Sequence, residues 1–210
     1  ADDSVDPHRN APKPDPLMLY GLIGDVARAA AETTEANRYA VAAAHIALLS
    51  AGVGRDVYLS VGNVKHHARI FMLHVGRSGR GRKGEAVSLT KRIRWEIEEH
   101  HREDTENLAD PLCGQMHDGG LSTREGLALL IHDGYRVGKE DVLPIEDKRL
   151  WIIESEFANV LHQAKRDGNT LSAALRDSWD GVSIRPATKT SRLWASNPHL
   201  SLTGNITPSE

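Results

Sequence analysis

The sequence predicts an α/β fold in which a mostly parallel sheet is flanked by helices. Three observations carry that prediction. Short apolar runs at residues 68–75, 149–154 and 199–203 alternate with segments of helical periodicity, the pattern of a parallel sheet covered on both faces. The run ARIFMLHV at 68–75 is almost continuously apolar, as a strand buried on both sides must be. Each run also gives way to a polar cluster at its carboxyl end, the edge where ligands of such sheets bind.

Residues 1–16 carry four prolines and almost no large apolar side chain, so a flexible linker or arm is expected there, with one domain over 17–210. Residues 17–31 place Leu19, Leu22, Ile23, Val26, Ala29 and Ala30 at helical spacing, and residues 37–51 repeat the pattern with many alanines. Gly52 and Gly54 end that second helix. Residues 56–61 alternate loosely as a strand, and the run at 68–75 leads through a glycine-rich loop into a helix over 86–103. Residues 104–120 read as a loop. Ser122 with Glu125 forms a capping box for a helix over 123–132, and 134–147 read as an irregular connection. The strand at 149–154 is followed by helices over 157–166 and 171–179, then by the strand at 199–203.

Composition narrows the function. The chain has 210 residues, 40% of them hydrophobic, a net charge of −3 and a single cysteine, Cys113. That size suits one sizeable domain, and the charge argues against coating nucleic acid through overall attraction. One cysteine excludes an internal disulfide and a cysteine metal cage. A cytoplasmic, membrane-free setting is the expectation, since no apolar run approaches the ~20 residues that span a bilayer.

The loop after the first buried strand reads Gly76-Arg77-Ser78-Gly79-Arg80-Gly81-Arg82-Lys83-Gly84-Glu85. Glycines let backbone N–H groups turn inward around phosphate oxygens, and the next helix adds its positive end. Gly76, Ser78, Gly79, Gly81, Arg82, Lys83, Gly84 and Glu85 are therefore candidate nucleotide-binding residues of a P-loop, with Lys83 reaching the terminal phosphates. The loop departs from G-x-x-x-x-G-K-[ST] twice: Arg82 precedes the lysine, and Gly84-Glu85 replaces the magnesium-binding hydroxyl. The other reading is a solvated Gly/Arg loop or a simple anion site.

Glu154 closes an apolar strand, where a second acidic group would hold magnesium, and Glu156 is placed to orient water as a general base. The other reading is that one or both begin a helix, where acidic residues suit the dipole; Glu154 is the stronger candidate because it directly follows Trp151-Ile152-Ile153. Asn205 is a candidate for the γ-phosphate or its water, or else a Gly-Asn turn residue. His66-His67 and His100-His101 are poor metal sites, because neighbours in sequence point apart. Ser78 lacks the G-x-S-x-G elbow of an esterase. Arg176, Arg185 and Lys189 are candidates for phosphate, a neighbouring subunit or nucleic acid.

The segments Tyr20-Gly21-Leu22, VGNVKHHARIFMLHVGRSGRGRKGE, DGGLSTREGL, DKRLWIIESEFANVL, GNTLSAALRDSWDG and LTGNIT resemble an uncharacterised family of P-loop ATPase domains. These belong to primase-helicase-like proteins of phages, plasmids and integrated elements, and the likeness covers about 17–207. Arg82-Lys83-Gly84 match the family loop, while Glu85 stands where the family has Thr or Ser. The resemblance implies a RecA-like core, ATP and Mg2+ as ligands, and a part in DNA replication of a mobile element. It also implies a homo-oligomeric ring with an arginine from the next subunit, for which Arg176 is the candidate. The helix segment Lys91-Arg92-Ile93-Arg94 would face DNA, expected as a single strand. Family members run on past Glu210, so a C-terminally truncated core is expected. The alternative is a non-catalytic scaffold that binds nucleotide or DNA phosphate.

Overall fold

The computed structural model describes residues 12–76, 83–103, 112–186 and 193–208. Helix α1 (Gly21–Thr33) and helix α2 (Arg38–Val53) lie side by side. Their alanines allow close approach: Ala27, Ala30, Ala36, Val41 and Ala42 bury one another with Ala86. Asn37 caps α2 by accepting the Tyr39 N–H at 2.9 Å, satisfying a donor that the first turn leaves free.

Strands β1 (Tyr58–Val61) and β2 (Val64–His67) form an antiparallel hairpin outside the main sheet. Strand β3 (Phe71–Val75) begins three residues later than the apolar run, after a backbone turn in which the Arg69 N–H donates to His67 O at 2.8 Å. Helix α3 (Lys83–Glu103) follows.

The region read as a loop at 104–120 needs correction. Strand β4 (Gln115–Asp118) lies within it and pairs parallel with a later strand. Its sequence QMHD carries no apolar run because it is an edge strand with one neighbour. Helix α4 (Arg124–Leu129) is capped by Thr123, one residue past the expected Ser122, through its hydroxyl and the Gly126 N–H at 3.0 Å. The connection expected to be irregular contains the hairpin of β5 (Tyr135–Val137) and β6 (Glu140–Val142). Strand β7 (Arg149–Glu154), helix α5 (Phe157–Ala164), helix α6 (Leu171–Asp180) and strand β8 (His199–Ile206) complete the order.

The main sheet has the order β3-β8-β7-β4, all parallel. From β3 the chain crosses one face through α3 to the far edge, then steps back through α4, α5 and α6 on the other. Crossovers are right-handed, so reversing direction along the sheet changes the face that is covered. Residues of β7 divide accordingly: Leu150 and Ile152 pack with Leu127, Ile131, Phe157 and Leu171, and Trp151 and Ile153 with Ala47, Leu48 and Val87. No helix among the described residues is long and apolar enough to cross a membrane.

Candidate functional site at the carboxyl edge of the sheet

The crossover pattern opens a crevice. The connection after β3 leaves toward the α2/α3 face, while those after β4 and β7 leave toward the α4–α6 face. Between them stands the end of β8, the kind of switch point where open sheets bind ligands. The sheet order thus brings three of the sequence-predicted clusters into one row: Leu73 pairs with Gly204, His74 with Asn205, and Glu154 with Gly204.

Gly204 is required by packing. A Cβ there would lie 2.7 Å from Leu73 Cδ2 and 2.9 Å from Phe157 Cδ2. Asn205 continues the strand, which overturns its reading as a turn residue, and it is buried, with 3% exposure. Its Oδ1 has no hydrogen-bond partner among the described residues. It lines a cavity of about 420 Å³ between β3, α2 and the start of α3, with Asn37, Tyr39, Ala44, Ala86 and Thr203. Thr203, on the same face, accepts the Trp151 indole N–H at 3.0 Å, which fixes the wall below Asn205.

The glycine loop starts at Gly76, whose N–H donates to Ile206 O at 3.1 Å, so the loop leaves β3 tied to β8. Lys83 is the first residue of α3 and Glu85 lies in its first turn. A Cβ on Gly84 would meet nothing within 4 Å. Ser78, Gly79, Gly81 and Arg82 lie outside the described residues.

Glu154 leaves β7 toward the opposite face from Asn205, beside Gly204 and Phe157. It is 4% exposed, and its Oε1 accepts the Leu121 N–H at 2.8 Å. Burial pushes its pKa up, while hydrogen bonds from the Leu121 and Gly120 amides oppose the shift. Those amides were not anticipated from the sequence. The signal for them was Gly119-Gly120, whose φ values of 81° and 86° let the chain fold its N–H groups toward the carboxylate. Glu156 stands exposed at the amino end of α5 with no capping bond, and its Oε2 accepts from Asn159 Nδ2 at 3.2 Å. Both carboxylates line a second cavity, of about 320 Å³, with Gly119, Ser122 and Gln163.

Comparison with protein-family models, curated proteins and solved structures gives no match.

Among the described residues, the remaining candidates line neither of these cavities. Arg176 lines a shallow cavity with Phe71, Leu175, Trp179 and Asp180, flanking the amino end of β3. Arg185 stacks on Trp194, with 5.3 Å to the ring centroid, and Lys189 lies outside the described residues. In the basic stretch of α3, Lys91 pairs with Asp118 and Arg94 donates to Gly114 O at 2.9 Å. Only Arg92 of these three is strongly exposed, and it pairs with Glu96. No group of three His, Cys, Asp or Glu side chains suited to a metal occurs among the described residues. Burial beside Glu98 pushes the Cys113 thiol up to about 11, so it is no nucleophile at neutral pH.

Proposed function

We propose that this chain binds a nucleoside triphosphate, ATP, in the crevice at the carboxyl edge and hydrolyses it as a P-loop ATPase of the RecA-like kind. The observation that carries the reading is the strand order, which sets the glycine-loop strand, the Asn205 strand and the Glu154 strand side by side with their carboxyl ends together. A phosphate chain lying across β3 and β8 meets the amino end of α3, where free N–H groups and the helix dipole favour negative charge.

In this reading Lys83 holds the terminal phosphates and Asn205 Oδ1 accepts a hydrogen bond from the attacking water or its neighbour. Glu156 orients that water and takes its proton as the oxygen bonds to the γ-phosphorus. The bond to the bridging oxygen breaks, giving a nucleoside diphosphate and phosphate. Magnesium supplies charge neutralisation on the phosphates, and it needs only one or two protein carboxylates beside phosphate and water ligands. The donor set fits to that extent: Glu154 and Glu156 line one cavity, and Glu154, held by the Leu121 and Gly120 amides, would act on the metal through a bound water.

The work done with the energy, by resemblance, is DNA replication of a mobile element, in a ring of identical subunits with Arg176 completing a neighbour's site. One observation favours the scaffold alternative. Glu85, an acidic group, occupies the first turn of α3, where a hydroxyl would otherwise meet the metal and where its charge opposes phosphate.

The test is magnesium-dependent ATP hydrolysis with and without single-stranded DNA, for the native chain, Lys83→Ala and Glu156→Gln. Both variants lose turnover, and only Lys83→Ala loses most of its nucleotide affinity. Hydrolysis indifferent to Lys83 refutes the ATPase reading, and binding without hydrolysis in the native chain selects the scaffold.

A further inference from the structure

The amino end of the sheet, opposite the nucleotide crevice, holds a cavity of about 490 Å³ that the proposed reaction does not use. The carboxyl end of α2, the loop after it and the starts of β7 and β8 enclose it, with Gly54, Arg55, Asp56, Glu146, Asn197 and His199 in its wall. Asp147, Lys148 and Arg149 complete its charged groups.

The cations of this wall are already engaged. Arg149 donates to Asp147 through Nε at 3.0 Å and Nη2 at 2.9 Å, and to Gly52 O through Nη1 at 2.8 Å. Lys148 Nζ donates to Ile131 O at 2.9 Å and His132 O at 2.8 Å, and pairs with Asp133 at 2.8 Å. Arg55 Nη1 donates to Gly181 O at 3.2 Å and to Pro198 O at 3.1 Å.

The acceptors are left over. Asp56 and Glu146 are exposed and make no hydrogen bond or ion pair among the described residues. His199 is 1% exposed; its Nε2–H donates to Ser50 O at 2.7 Å, and its Nδ1 has no partner among the described residues. Burial, reinforced by the charges of Arg69, His67 and Arg55, holds the His199 pKa below its ordinary value. The ring is therefore neutral near pH 7, and Nδ1 presents a lone pair rather than a proton. A buried acceptor left without a donor is costly, and a ligand N–H removes that cost. The 16 residues of α2 end at this cavity, where the carboxyl end of a helix carries partial negative charge that favours a cation. The three acceptors do not converge on one point, since no group of three such side chains suited to a metal occurs among the described residues. A ligand with two separated donor groups matches that spacing better than a single ion.

We propose that this cavity binds an aliphatic diamine, one ammonium donating to His199 Nδ1 and the other meeting the Asp56 and Glu146 carboxylates at the rim. The site lies at the opposite end of the sheet from the glycine loop, so it stands whether or not the carboxyl edge hydrolyses ATP. Putrescine is titrated into the full chain by calorimetry at fixed ionic strength, and saturable one-to-one binding is expected. Asp56→Asn combined with Glu146→Gln weakens it about tenfold, the loss of two exposed charge contacts; both positions are exposed, so the variant folds. In chain labelled with nitrogen-15 histidine, the His199 Nδ1 resonance moves on binding, because that nitrogen gains a hydrogen bond. A bis-quaternary analogue of putrescine, with the same charges and no N–H, does not bind. Absent binding of putrescine, equal binding of the quaternary analogue, unchanged affinity in the double variant or a stationary His199 Nδ1 resonance each overturns the proposal.

Discussion

Asn205→Leu separates the cost of the candidate site from its use. The side chain is buried and its Oδ1 lacks a partner among the described residues. An unsatisfied buried polar group costs about 1–3 kcal/mol, and an apolar group of the same shape removes that cost. For a domain of this size each kcal/mol moves the melting temperature by about 2–4 °C, so the ligand-free variant should melt several degrees higher than the native chain. With nucleotide present the order reverses in function: losing the group that positions water should lower kcat by about a hundredfold, the scale of a small misplacement of a reacting group. Calorimetry without ligand and phosphate release with ATP are the two assays. A variant that melts lower, or that turns over like the native chain, refutes the view that Asn205 keeps an open hydrogen bond for a ligand.

Gly204→Ala forces a methyl against Leu73 and Phe157, an overpacking that costs about 1–3 kcal/mol, read as a lower denaturant midpoint with an unchanged slope. Glu154→Gln keeps an acceptor for the Leu121 N–H and removes a charge. Because burial raises the native pKa, the charged form opposes folding above that pKa, so the variant melts higher at pH 7 and the advantage vanishes near pH 4; equal melting at pH 7 would contradict this. His45, His132 and His199 are buried with lowered pKa values, so the unfolded chain takes up their protons first. Stability is full above about pH 6.5 and declines as pH falls below it, a slope that thermal melts between pH 5 and 8 should show and that His45→Gln should flatten.

The sequence by itself determined the elements whose signal is local. Continuous apolar runs marked β3 and β7, and alanine-rich periodicity marked α2, because backbone preference and burial on both faces are written in neighbouring residues. It also placed Gly76, Glu154 and Asn205 at strand ends. Only the tertiary structure decided what depends on distant partners. Strand β4 carries a polar sequence and is a strand only because β7 offers it an edge. Asn205 is strand rather than turn because β3 pairs with it. The strand order, set by crossovers of one hand on two faces, sends Glu154 and Asn205 to opposite sides of the same edge. Alternation along a strand fixes which residues share a face, but which helices cover that face is settled by packing between segments far apart in the chain.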